Sequence, residues 1–159
     1  MIIVLMGVSG CGKSAIGQAL SKELDIPFYD ADDFHSEANK RKMKEGTPLT
    51  DGDRKPWLKT LADFMGAHGE MILACSALKH SYRRILGFSP EVRFVYLKGD
   101  YPLIRTRLEE RKGHFFNPDL LDSQFATLEE PRNAIIVDIT PPISDIVRNI
   151  RTSLKLRTP

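Results

Sequence analysis

A three-layer α/β fold, with a five-stranded parallel sheet between two layers of helices, is the class this sequence predicts. Three observations carry the prediction. Short apolar runs alternate with segments whose apolar residues recur at helical spacing. A glycine-rich octapeptide, Gly7-Val8-Ser9-Gly10-Cys11-Gly12-Lys13-Ser14, joins the first run to the first helical segment. The segments of unusual chemistry each follow the end of a run, and the carboxyl ends of parallel strands lie along one edge, where ligands bind.

The elements follow in order. Ile2 to Met6 is uninterruptedly apolar, as a strand buried on both faces would be. After Ser14, Ile16, Ala19, Leu20 and Leu24 mark a helix. Pro27 to Asp30 is a short second strand ending in acids, and Asp32 to Asp53 is polar and turn-rich, with Gly46, Pro48 and Gly52. Within it, Lys40 to Lys44 is chiefly a solvated helix face. Pro56 is expected to open a helix, where its missing N–H costs nothing, with Trp57, Leu58, Leu61, Phe64 and Met65 as the apolar face. Met71 to Cys75 is a third strand, Lys79 to Leu86 a short helix, and Val92 to Leu97 a fourth strand. An arginine-rich helix covers Tyr101 to Lys112, and an insertion over about 113–131 carries a short helix marked by Leu121, Phe125 and Leu128. Ala134 to Asp138 is the fifth strand, and a last helix is expected to bury Ile143, Ile146, Val147, Ile150 and Leu154. No internal repeat or low-complexity tract interrupts this, so residues 1–159 read as a single domain, long enough for a full core.

The octapeptide fits G-x-x-x-x-G-K-[ST], the P-loop, at every fixed position. Glycines let backbone N–H groups turn inward onto phosphate oxygens, and the following helix points its positive end at the same anion. Gly7, Ser9, Gly10, Cys11, Gly12, Lys13, Ser14 and Ala15 are therefore candidate phosphate-binding residues. Lys13 is expected on the β- and γ-phosphates and Ser14 on Mg²⁺. The implied ligand is a nucleoside triphosphate.

Composition excludes several classes. The chain is 42% hydrophobic and 28% charged, with a net charge of +2, too small by itself to imply a nucleic-acid or membrane surface. No apolar run reaches the length of a membrane span. With a strand starting directly after Met1 there is no room for a leader, so the expected location is the cytoplasm. Cys11 and Cys75 make neither a disulfide framework nor a metal cluster. They read as small buried residues, with a redox link as the alternative.

Asp30-Ala31-Asp32-Asp33-Phe34-His35 follows the second strand. A phosphoryl acceptor needs a carboxylate to orient its hydroxyl and take its proton, and the waters of Mg²⁺ need carboxylates too. An acid pair spaced by one residue can serve both needs, with Asp32 favoured as functional and Asp30 or Asp32 available to the metal through water, while Asp33 is expected merely to cap the next helix. Arg54 has the planar fork that clamps a carboxylate. Lys79 and Arg83 add cations beyond the third strand, so the acceptor is expected to be anionic. Arg105, Arg107 and Arg111 precede the insertion, which is expected to be a mobile lid that neutralises phosphate charge and excludes water.

Taken with the P-loop, the blocks Phe28 to His35, Asp53-Arg54-Lys55-Pro56-Trp57-Leu58, Cys75 to Lys79 with Tyr82-Arg83, and Arg111 to Phe115 with Gln124-Phe125-Thr127-Leu128-Glu129 resemble the gluconokinase family over residues 2 to about 138. The resemblance implies ATP-dependent phosphorylation of D-gluconate at its 6-hydroxyl. It implies a fold like that of shikimate kinase and the nucleoside monophosphate kinases, with sheet order 2-3-1-4-5 and a lid, and assembly as a homodimer. It assigns Lys13, Asp32 and Arg111 to catalysis, with Arg111 over the phosphates. Asp32, His35, Arg54, Lys79, Arg83 and His114 fall to the sugar acid, within a substrate segment of about 32–60 and the lid. Cys11 stands where the family often has serine. Three rival readings remain. A kinase of the same architecture could take shikimate or a nucleoside monophosphate. A regulatory GTPase would need N-K-x-D after a strand, which Asn39-Lys40-Arg41-Lys42 does not supply. A non-catalytic nucleotide-binding subunit sits poorly with intact Lys13, Ser14 and Asp32.

Overall fold

The computed structural model describes residues 1–111 and 117–155. Five parallel strands, β1 (Ile2–Met6), β2 (Phe28–Asp30), β3 (Met71–Ala74), β4 (Val92–Lys98) and β5 (Ile135–Asp138), form one sheet in the order β2-β3-β1-β4-β5. β1 is central, pairing with β3 from Ile2↔Met71 to Leu5↔Ala74 and with β4 from Ile2↔Val92 to Met6↔Tyr96. Alternation along β1 serves two cores. Ile3 and Leu5 face α1 (Lys13–Leu24), α5 (Tyr101–Glu109), α6 (Pro118–Thr127) and α7 (Ile143–Ser153) through Ile16, Leu20, Ile104, Leu108, Leu121, Ile146 and Ile150. Ile2, Val4 and Met6 face α3 (Asp51–His68) and α4 (His80–Leu86) through Trp57, Leu58, Leu61, Met65 and Leu86. With both faces covered, β1 is buried along its whole length, which explains its continuous apolar run. Each such large side chain contributes about 1.5–3 kcal/mol by leaving water.

Four sequence expectations are corrected. α3 begins at Asp51, not at Pro56, because a reciprocal cap forms at its start: Thr50 Oγ1 accepts from Asp53 N–H, and the Asp53 carboxylate accepts from Thr50 N–H. Pro56 thus lies inside the helix, where its missing N–H leaves the Gly52 carbonyl without its helical donor. Asp30, not Asp33, caps the 3-10 turn at Ala31–Phe34, accepting from Asp32 N–H at 2.9 Å, and Ser36 caps α2 (Glu37–Lys44). Ile143 is 44% exposed, since it occupies the first position of α7, while Ile146, Val147, Ile150 and Leu154 are buried as expected. The arginine-rich helix stops at Glu109.

α1 packs onto the sheet through a glycine. A Cβ at Gly17 would overlap the Phe28 ring and come within 3.3 Å of Leu5 Cδ1. Glycine to alanine within a helix is otherwise favourable by about 1 kcal/mol. Here overpacking should reverse the sign, so Gly17→Ala is expected to destabilise the protein by about 1–3 kcal/mol. Thermal unfolding reads this directly, and a raised Tm would contradict the packing described.

Candidate active site

Because all five strands are parallel, the P-loop after β1, the acids after β2 and the Cys75–Lys79 segment after β3 open onto one edge of the sheet. Gly10 has φ +83°, a conformation natural to glycine, and a Cβ there would strike the Leu108 side chain. Gly12, at φ +95°, is the N-cap of α1 with no side-chain hydrogen bond, which leaves the helix's first N–H groups pointing into the loop. Lys13 Nζ donates to the carbonyls of Gly7 at 2.9 Å and Val8 at 3.1 Å, so its charge stands at the mouth of the loop. Cys11 and Cys75 are free and buried, and burial pushes the Cys75 thiol up to about 12, which suppresses thiolate chemistry there.

Asp32 faces the P-loop closely enough to feel the Lys13 charge. Its side chain is open to the crevice, yet surrounding protein thins its hydration. That desolvation, followed by repulsion from Asp30, raises its carboxyl above the ordinary value, with Lys13 pulling the other way and Asp33 adding to the rise. Such a carboxylate has gained affinity for a proton. His35 is buried with its ring stacked on Trp57, centroids 4.1 Å apart, and its Nε2 lies 3.9 Å from Asp32 Oδ1. Trp57 is itself fixed by donating from Nε1 to the Ala31 carbonyl at 2.8 Å.

Beyond His35 the wall becomes a network. Arg54 donates to the Leu49 carbonyl at 2.8 Å and to the Tyr82 hydroxyl at 3.4 Å. Tyr82 donates to Asp51 Oδ1, and Lys79 Nζ donates to both Asp51 oxygens, at 3.0 and 3.1 Å. The Tyr82 and Lys79 hydrogen bonds hold the Asp51 carboxyl below its ordinary range. One carboxylate therefore already sits among two cations and a phenol, and it marks what such a surface accepts. Asp32, His35, Arg54 and Lys79 line one wall.

Arg83 is placed differently. It is buried, with its guanidinium donating to the Ala77 and Glu129 carbonyls, each at 2.6 Å, and meeting His80 Nδ1 at 2.9 Å, so it ties α4 to the chain beyond α6. Arg105 pairs with Glu109, and Arg107 donates to the Ile139 carbonyl at 2.8 Å. Arg111 is exposed just past the end of α5, and His114 lies outside the described residues. Sequence reasoning missed the partners Asp51 and Tyr82, and it quoted Gln124 without a role. The Gln124 amide, on α6, accepts from Ser9 N–H at 2.6 Å and donates to Ser9 Oγ at 2.9 Å, so α6 docks onto the tip of the P-loop. Only the block Gln124 to Glu129 hinted at this.

His35 generates a pH prediction. Desolvation first, then Arg54 and Lys40, lower its folded-state value from 6.5 to about 4. The unfolded chain takes up this proton at higher pH than the folded chain does. The stabilisation is thus complete above about pH 6.5 and lost as pH falls toward 4. Unfolding free energy measured across this window should fall with a slope of about one proton. In His35→Gln that component should vanish, and an unchanged slope would contradict the assignment.

Comparison with known proteins identifies the family and the fold. The shikimate kinase family profile matches residues 9–149. The thermoresistant gluconokinase of Escherichia coli (strain K12) is 44% identical over 92% of this chain and 89% of its own length. The crystal structure of a gluconokinase from Sinorhizobium meliloti 1021 superposes with a TM-score of 0.88 at 40% identity, covering 96% of this chain and 90% of that one. Shikimate kinase from Aquifex aeolicus shares the fold, with a TM-score of 0.63 at 24% identity over 98% of this chain and 96% of that one. With a P-loop at the carboxyl end of the central strand of a 2-3-1-4-5 sheet, and identity of this order across nearly its whole length, the chain belongs to the gluconokinase family of shikimate kinase-like kinases.

Proposed function

We propose that this protein transfers the γ-phosphoryl group of ATP to the 6-hydroxyl of D-gluconate, giving 6-phospho-D-gluconate and ADP. The observation that carries the reading is the pairing of two surfaces across one crevice. The P-loop with Lys13 forms one, and Asp32 with the neutral His35 and the cations Arg54 and Lys79 forms the other. A polyhydroxy carboxylate matches that wall, with a hydroxyl for Asp32 and a carboxylate for Arg54.

In this reading Gly7, Ser9, Gly10, Cys11, Gly12, Lys13, Ser14 and Ala15 form the phosphate cradle, with the Gly7 and Ser9 N–H groups holding the loop in shape, and Lys13 neutralises charge on the group in transfer. Asp32 orients the 6-hydroxyl and takes its proton. Arg54 receives the sugar-acid carboxylate, with His35 and Lys79 on the remaining oxygens. Lys79 and Tyr82 then exchange their hold on Asp51 for the substrate. Arg83 acts by fixing the wall, since its donors are engaged with main-chain carbonyls. Arg111 and His114 are assigned to the closed lid, over the phosphates and the sugar acid respectively. The hydroxyl of Ser14 and the carboxylates of Asp30 and Asp32 are hard oxygen donors of the kind that fits Mg²⁺, which when bound supplies charge neutralisation at the phosphates. Among the described residues, no group of three or more His, Cys, Asp or Glu could hold a metal ion. Assembly as a homodimer, which rests on the family likeness, and residence in the cytoplasm belong to the same reading.

The direct test is ADP release from Mg-ATP against D-gluconate, shikimate, glucose and the nucleoside monophosphates. Turnover on gluconate alone is expected. Turnover on another acceptor with gluconate inert would overturn the roles given to His35, Arg54 and Lys79. Lys13→Ala should lower kcat by about 10²–10³ or more, and near-normal kcat would contradict the P-loop role. Asp32→Asn should lower kcat by about 10²–10⁴ with ATP affinity retained. Collapse of ATP affinity with kcat preserved would place Asp32 on the wrong ligand.

A further inference from the structure

Asn39 has no role in the reading above, yet it is only 5% exposed, and its amide nitrogen bonds twice. It donates to the main-chain carbonyl of Asp53, on α3, at 2.9 Å, and faces His35 Nδ1 at 3.3 Å. A carbonyl oxygen only accepts, so the nitrogen end of the amide must face Asp53. That settles which way the amide points. Its second hydrogen is then directed at His35 Nδ1, which must accept it. A neutral imidazole that accepts at Nδ1 carries its own hydrogen on Nε2.

The plane of the ring is fixed by stacking, and the Asn39 contact selects its orientation within that plane. The ring lies 15° from parallel to Trp57, which is anchored to Ala31. The charged groups facing the ring are Asp32 from the 3-10 turn, Lys40 from α2 and Arg54 from α3. Burial first, and then the two cations, disfavour an imidazolium and keep the ring in the neutral form, the form that has a tautomer to choose. His35 Nε2 thus points toward Asp32 Oδ1 across 3.9 Å, too far for a direct hydrogen bond. The spacing suits one hydroxyl oxygen reaching both, accepting from Nε2–H while its own proton goes to Asp32.

We propose that Asn39 is a positioning residue that locks His35 as the Nε2–H tautomer, so that the acceptor hydroxyl meets a donor on one side and the Asp32 carboxylate on the other. The proposal deepens the acceptor-site reading and rests on it for the identity of the hydroxyl, but not for the tautomer.

The test is nitrogen-15 NMR of histidine-labelled full-length protein, without substrate, together with steady-state kinetics on whichever acceptor of the panel turns over. Wild type should show His35 protonated at Nε2. Asn39→Asp puts an acceptor where the donor was and should move the hydrogen to Nδ1, lowering kcat about 10- to 100-fold with KM for ATP unchanged. His35→Gln, whose amide nitrogen reaches the Nε2 position, should keep more kcat than His35→Asn, whose amide nitrogen mimics Nδ1. An Nδ1–H signal in wild type, equal losses in the two His35 variants, or a moved tautomer without loss of kcat would each overturn the proposal. Should Asn39→Asp fail to fold, the wild-type spectrum and the His35 pair decide the matter alone. The spectrum is read without substrate, so gluconate proving inert would refute the substrate and leave the tautomer standing.

Discussion

The burial of β1 on both faces, with hydrogen-bonded neighbours on both edges, is the constraint on which the rest depends. A strand so placed must be apolar throughout, and Ile2 to Met6 are. Its carboxyl end emerges at the middle of the sheet, where the chain needs to leave and turn back into a helix. The P-loop is that turn, and Gly10 and Gly12 allow it at positive φ. Parallel pairing then aligns the ends of β2 and β3 with the same edge, so the acids after Asp30 and the cations after Cys75 arrive beside the loop. The crevice is a consequence of topology before it is a matter of side chains.

Charge is the second organising quantity. The net charge of +2 conceals a local arrangement in which carboxylates and cations alternate along one wall. Asp32 gains proton affinity because it is partly stripped of water beside another acid, while Asp51 loses it because Tyr82 and Lys79 donate to it. Two aspartates of the same intrinsic acidity are thereby driven apart, one suited to proton transfer and the other to holding the wall together. His35 is kept neutral between Arg54 and Lys40 by burial on Trp57. The same wall carries much of the recognition and much of the pH dependence expected of this protein.

A large share of the fold was legible in the sequence because its signals are local. The strands are short apolar runs, the helices carry periodic faces, and the loop has a fixed pattern. What was not legible depends on contacts between distant residues or on rival local signals. Pro56 looked like a helix start until the Thr50–Asp53 cap three to six residues earlier took that role. Asp32, Arg54 and Lys79 stand out because each lies near a strand end or a helix start, whereas His35 is named only by the family resemblance. That Tyr82 and Asp51 link them does not stand out, since those two are 31 residues apart and meet only through the packing of α3 on α4. The grip of Gln124 on Ser9 spans 115 residues, and the Asn39 bridge joins two helices whose relative placement no periodicity reveals.

The acceptor is expected to bind on the Asp32 wall with its hydroxyl toward the P-loop. A crystal structure with ADP and D-gluconate bound tests it most directly. The account predicts the 6-oxygen about 2.6–3.2 Å from an Asp32 carboxylate oxygen, with the gluconate carboxylate on Arg54 at the far end. Gluconate bound in the reverse sense, or outside the wall formed by Asp32, His35, Arg54 and Lys79, would contradict it.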